Sequence, residues 1–158
     1  MTPANNERLR HLLVVAEKEK THLQGTTQRL LTENINKGWV EYLEEEPDLA
    51  ERVDAFVARF GRLQDHLGDK LTPELLRQML EEPSSAINNL NRMEKLGLLS
   101  SMIDWVEARN LRNRLVHEYV EDSEEFAGAL NRAIELVTLL VETSDSYSLY
   151  ANQFLVGK

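Results

Sequence analysis

The sequence predicts an all-α fold: an antiparallel up-and-down bundle of about five or six helices. Three observations predict it. Apolar residues recur at i, i+3/i+4 spacing through most of the chain. Turn formers are scarce, 7 Gly and 4 Pro in 158 residues, and they fall between long segments, whereas an all-β chain needs a turn every ~8–12 residues. No alternating strand pattern, GxGxxG or GxxxxGK occurs. At ~100–200 residues per domain the chain is expected to be one domain, 1–158. A hydrophobic content of 42% suffices for a core.

The first helix is expected from about Asn6 to Asn36, carrying Leu9, Leu12, Leu13, Ala16, Leu23, Leu30 and Leu31 at helical spacing. Gly25-Thr26-Thr27 is a candidate bend and Lys37-Gly38 a stop. Trp39, Tyr42 and Leu43 begin a short piece. Pro47 in Glu45-Glu46-Pro47-Asp48 suits a first helical turn, with acids at the positive dipole end. A stripe of Leu49, Val53, Phe56, Val57, Phe60, Leu63 and Leu67 follows, and Gly68-Asp69 is expected to close it. Thr72-Pro73 is expected to cap and start a short helix through Leu75, Leu76, Met79 and Leu80. Glu82-Pro83-Ser84 separates it from Ser85–Gly97, where Gly97 suits a C-terminal cap. Ser101-x-x-Asp104 starts the next helix. Asp122-x-x-Glu125 resembles a capping box opening a final helix to near Tyr150, ~30 residues or ~45 Å long.

Composition narrows function. Eighteen Lys+Arg against 27 Asp+Glu give a net charge of −9. That disfavours a nonspecific DNA coater, which needs a cationic face for counterion release, but leaves room for a local basic patch. There is no Cys, so disulfide and thiolate chemistry are excluded. The four His show no HxH or HExxH spacing, and no metal or cofactor is expected. No stretch approaches the ~18 apolar residues of a membrane helix. The N-terminus lacks the pattern of a signal peptide, so a cytoplasmic protein without membrane association is expected.

One segment departs from this background. Arg109, Arg112 and Arg114 lie within six residues that contain no acid. On a wheel of 100° per residue, Ala108, Leu111, Leu115 and Tyr119 share a core-facing stripe that also contains Arg112. A guanidinium there needs a partner, because an unpaired buried charge costs several kcal/mol. Asn110, Asn113 and His117 share the far side with Val106, Val116 and Val120, a mixture that suits an interface with a second subunit leaving a polar cleft. Read as a solvated helix, the segment would pair its arginines with Glu118 or Glu107. Read chemically, Arg binds phosphate bidentately and His moves a proton near neutral pH. Asn113, one turn before His117, can orient the ring or the substrate. These groups suffice for metal-free cleavage of RNA, whose own 2′-OH is the nucleophile. Arg112 and His117 point ~140° apart on a straight helix, so one site needs a kink, a long reach by Arg112, or residues from two subunits.

Arg112-Asn113-x-x-x-His117-x-Tyr119 resembles the Arg-x-x-x-x-His-x-Tyr signature of HepT-like toxins of the HEPN superfamily. The resemblance is specific over about eight residues; from roughly Asp48 to Tyr147 it is an agreement of helix pattern. It implies a homodimeric helical bundle with a HEPN-like core at 47–150, here preceded by a helical extension at 1–43. It implies a metal-independent endoribonuclease toxin, forming 2′,3′-cyclic phosphate ends, neutralised by a minimal nucleotidyltransferase antitoxin in a type II/VII-like pair. Arg112 and His117 would be catalytic, Asn113 and Arg109 supporting, and Tyr119 the residue adenylylated by the partner. Some HEPN relatives are instead non-catalytic substrate-binding subunits of nucleotidyltransferases. That role, or a structural helical dimer, is the alternative.

Other candidates carry ordinary expectations. Asp65-His66-x-x-Asp69 and Glu44-Glu45-Glu46 suit capping and solvated helix ends. His11 and His22 suit the surface of the first helix. Tyr147 and Tyr150 could stack on bases or pack against a partner helix.

Overall fold

A computed structural model describes residues 3–30 and 34–155, with side chains from Glu7 onward and excluding that of Val120. Leu31 and the Val120 side chain, both named above, lie outside the described residues. The described chain is all-helical: α1 (Pro3–Leu30), α2 (Lys37–Tyr42), α3 (Pro47–Asp65), α4 (Thr72–Gln78), α5 (Ala86–Lys95), α6 (Met102–Glu121) and α7 (Ser123–Leu155). A 3₁₀ turn follows α2, and a π-helical stretch, His66–Leu71, joins α3 to α4. Pro47 to Gln78 is therefore one continuous rod, and six helical rods make the fold.

The local sequence accounts for most ends. Pro47 occupies the first turn of α3. The Ser85 hydroxyl accepts from the Asn88 N–H, and the Ser101 hydroxyl from the Asp104 N–H. Gly97 ends α5 at φ +78°. There the N–H of Gly97 bonds the Glu94 carbonyl and that of Leu98 the Met93 carbonyl, the two bonds of a Schellman motif. Asp122 Oδ1 accepts from the N–H groups of Glu124 and Glu125, both at 3.1 Å. The box is not reciprocal, because the Glu125 carboxylate is taken by Arg114 at 3.0 Å.

Four expected breaks or boundaries are corrected. Gly25-Thr26-Thr27 lies inside an unbroken α1, where the Thr26 and Thr27 hydroxyls return to the carbonyls of His22 and Leu23. Lys37-Gly38 starts α2 rather than stopping a helix, because Asn36 Oδ1 accepts from the Trp39 N–H. Gly68-Asp69 closes nothing, and Thr72 is not an extended cap. Pro73 has no N–H for the Asp69 carbonyl and its ring would clash there. The winding loosens just before it, so that the Thr72 N–H reaches the Leu67 carbonyl, five residues back. The Thr72 hydroxyl also meets that carbonyl at 2.7 Å and Tyr147 Oη at 2.8 Å.

One hydrophobic core joins all the long helices. Alpha1 is built into it: Leu9, Leu12, Ala16, Leu23 and Leu30 are buried, facing α3 and α7. Phe56, Phe60, Leu63 and Leu67 supply the α3 side, and Phe126, Leu130, Ala133 and Leu140 the α7 side. With Asp122 alone between them and extensive mutual contact, α6 and α7 form an antiparallel hairpin. Among the described residues no helix is long and apolar enough to cross a membrane.

Candidate functional site

The segment singled out above lies in the middle and C-terminal part of α6, an unbroken helix from Met102 to Glu121. Ala108, Leu111 and Leu115 are buried and Tyr119 is half-buried against the core. Asn110, Asn113 and His117 are exposed on the opposite side, as their spacing predicts. Val106 beside them is half-buried and Val116 is 61% exposed.

Arg112 finds its partner across the bundle. Its Nη2 lies 3.3 Å from Asp65 Oδ2 at the end of α3. The stem passes over Gly61, one turn earlier, where a Cβ would fall 2.9 Å from Arg112 Nε and 3.1 Å from Cγ. Only a residue without a side chain admits the arginine so close. The expected partners, Glu118 and Glu107, are not used: Glu107 holds Arg132 through two hydrogen bonds of 2.8 Å, and Arg114 pairs with Glu125. Arg109 has no carboxylate within 4.0 Å among the described residues. Burial pushes the Asp65 carboxyl above its ordinary value, Arg112 pulls it down, and Asp69 pushes it up again.

Two clefts meet at Arg112. One lies between α3 and α6 and includes Asp54, Val57, Gly61, Arg112, Val116 and Tyr119. Arg112 and Tyr119 therefore share a groove, as seven-residue spacing on one helix requires. The other, about 470 Å³, includes Gln64, Asp65, Asp69, Arg109, Arg112 and Asn113. His117 lines neither. The protomer brings together Arg112, Asn113 and Arg109 along one cleft, and leaves His117 exposed outside both clefts on the same unbroken helix.

Tyr119 packs edge-on against Phe126, ring centroids 4.8 Å apart. Burial raises its phenol above the ordinary value, and Asp54 adds to the rise.

The remaining candidates are structural. His66 is buried, with Nε2 2.8 Å from the Leu12 carbonyl, and burial lowers its basicity. No set of three metal-ligating side chains occurs among the described residues. His11 and His22 are exposed on α1, and Glu44, Glu45 and Glu46 are exposed after α2. Tyr147 is buried on Thr72, and Tyr150 packs edge-on against Phe154 at 5.3 Å, so this pair is committed to packing. Sequence reading missed Gln64 and Gly61. Neither carries a local signal, and both matter only because α6 lies beside them.

Compared with protein-family models, curated proteins and solved structures, the chain matches none.

Proposed function

We propose that this chain is a metal-independent endoribonuclease of HepT type that works as a homodimer. Arg112 binds the scissile phosphate and stabilises the charge of the phosphorane-like transition state. The 2′-oxygen of the substrate attacks phosphorus, the bond to the 5′-oxygen breaks, and the ends are a 2′,3′-cyclic phosphate and a 5′-hydroxyl. His117 takes the 2′-OH proton or returns one to the leaving oxygen, with Asn113 and Arg109 supporting. In the cell, a minimal nucleotidyltransferase is the antitoxin and Tyr119 its target.

The observation that carries this reading is the placement of Arg112. A guanidinium is held at the surface by a glycine shelf and one carboxylate, in a chain of charge −9, with Tyr119 in the same groove. Exposed Val116 beside exposed Asn113 and His117 supports a second copy bringing His117 towards the partner's arginine. Such an interface is expected to bury more than ~1,000 Å², and light scattering at tens of micromolar tests it: a monomer refutes the dimer.

The deciding experiment is total RNA incubated in EDTA with the wild type and His117→Ala. Cleavage by the wild type and none by the variant is expected; equal action by both refutes the mechanism. The separation of Arg112 from His117 within one protomer favours a second reading, a non-catalytic subunit that docks a nucleotidyltransferase. Stable complex formation with such an enzyme, without RNA cleavage, supports that reading instead.

A further inference from the structure

Arg112 bridges the groove between α3 and α6. The cleft on one side of it runs to Asp54 and Tyr119, the cleft on the other to Asp69 and Arg109, and among the described residues the two share only Arg112. The bond that closes the bridge is loose. Arg92 and Arg132 each grip a carboxylate through two hydrogen bonds of 2.7 to 3.0 Å. Arg112 Nη2 stands 3.3 Å from Asp65 Oδ2, and no hydrogen bond joins the two side chains. They are 45% and 41% exposed, and an ion pair that open to water contributes little to stability.

The stem of the arginine, by contrast, is fixed. It lies over Gly61 too closely for any side chain there, so the guanidinium is delivered to one place. Arg109, one turn earlier on α6, is half-buried, lines the same cleft as Arg112 and Asp65, and has no carboxylate within 4.0 Å among the described residues. Asn113 adds an exposed amide to that wall. Burial pushes the Asp65 carboxyl up, Arg112 and Arg109 both pull it down, and Asp69 pushes it up again. The Asp65 carboxylate is thus the anion that both guanidiniums feel, although it reaches only one of them.

A guanidinium offers the same fork to a phosphate as to a carboxylate. A phosphate, with more oxygens and no tether to α3, can face both arginines at once. We propose that Asp65 is a built-in stand-in for a phosphate: its carboxylate occupies, beside Arg112 and Arg109, the place of a phosphoryl anion, which binds by displacing it. Asp65 then turns to solvent while the stem of Arg112 stays on Gly61. Until that exchange Arg112 is neutralised by its own chain. The inference deepens the reading of Arg112 as a phosphate ligand and rests on it for RNA as the source; the exchange itself needs only a phosphoryl anion.

Calorimetry of the full chain tests it, with inorganic phosphate and with a 2′-deoxy oligonucleotide, which lacks the internal nucleophile and is not cleaved. Asp65→Asn keeps the shape of the side chain and removes the competing charge. It is expected to tighten both ligands by roughly twofold to fivefold, the factor an exposed ion pair is worth. Asp69→Asn removes the same charge from the same cleft without freeing Arg112, and is expected to give a smaller gain. Arg112→Gln is expected to lose the binding, and in that background Asp65→Asn is expected to bring no gain. Melting curves check that each variant is folded. No binding, binding unchanged or weakened by Asp65→Asn, an equal gain from Asp69→Asn, or a gain that survives Arg112→Gln overturns the proposal. An oligonucleotide that binds more tightly than inorganic phosphate upholds the exchange with a phosphodiester; the reverse order upholds it with a free phosphate. Tightening by Asp65→Asn in a protein that cleaves no RNA upholds the exchange and defeats the ribonuclease. RNA cleavage whose KM is not lowered by Asp65→Asn defeats the exchange and leaves the ribonuclease standing.

Discussion

Arg112 lies across Gly61: the backbone of α3 at that residue is the shelf on which the guanidinium stem rests, and the ion pair to Asp65 begins one turn later. The arginine sits in an apolar stripe of α6 only because α3 offers a residue without a side chain there.

Gly61→Ala therefore separates stability from activity. The new methyl displaces the flexible arginine, not backbone, and Ala favours a helix interior by roughly 0.5–1 kcal/mol over Gly. The melting temperature is expected to stay level or rise by about 2–4 °C. RNA cleavage is expected to fall well below wild type because Arg112 is turned away from Asp65. A variant with unchanged cleavage shows that the position of Arg112 on Gly61 is irrelevant to the chemistry.

Leu80 is an identifiable weak point. It ends α4 at φ 62°, and it is 96% exposed. Its N–H bonds the Arg77 carbonyl and that of Glu81 bonds Leu76, the same motif that Gly97 closes on α5. A left-handed leucine costs about 1–2 kcal/mol and buries nothing in return. Leu80→Gly is expected to stabilise by about 1 kcal/mol in denaturant titration with an unchanged m-value. A loss of stability refutes this account of the α4 terminus.

His66 sets a pH dependence. Burial holds its folded pKa below the unfolded value of 6.5, against the pull of the Leu12 carbonyl. The unfolded chain therefore takes up a proton first as pH falls. The contribution is complete above about pH 6.5 and declines below it, down to the depressed folded value. Melting temperatures from pH 8 to pH 5 are expected to fall in that window, and His66→Gln, which keeps a donor for Leu12, is expected to flatten the change. A slope unchanged by the substitution assigns the dependence to other groups.

Tyr119 shares the groove of Arg112 and packs its ring on Phe126. Tyr119→Phe keeps that packing and removes only the hydroxyl. RNA cleavage is expected to persist while neutralisation by a cognate nucleotidyltransferase is lost, since an added nucleotide would place an anionic phosphate beside Arg112. Co-expression followed by intact-mass measurement checks both. A silenced Phe variant, with no nucleotide mass on the wild type, leaves Tyr119 a packing residue.

The sequence alone determined the helices and most of their ends. Pro47, Ser85, Gly97, Ser101 and Asp122 act within one turn of themselves, and apolar spacing selects the buried face of each helix. It also determined that Arg112 needs a partner, because a charge in an apolar stripe is a conflict visible on one helix. Which carboxylate answers it was decided by tertiary structure. Asp65 is 47 residues away in sequence, and local spacing points instead to Glu107 and Glu118, the nearer acids. The loosened turn at His66–Leu71 was likewise hidden, since Gly68-Asp69 and Thr72-Pro73 have the composition of a break. What keeps the rod continuous is burial: Leu67, Leu71 and Thr72 are sealed within the core, Thr72 against Tyr147. A buried break would strand backbone polar groups there, whereas a single π stretch keeps the Thr72 N–H bonded while accommodating the proline.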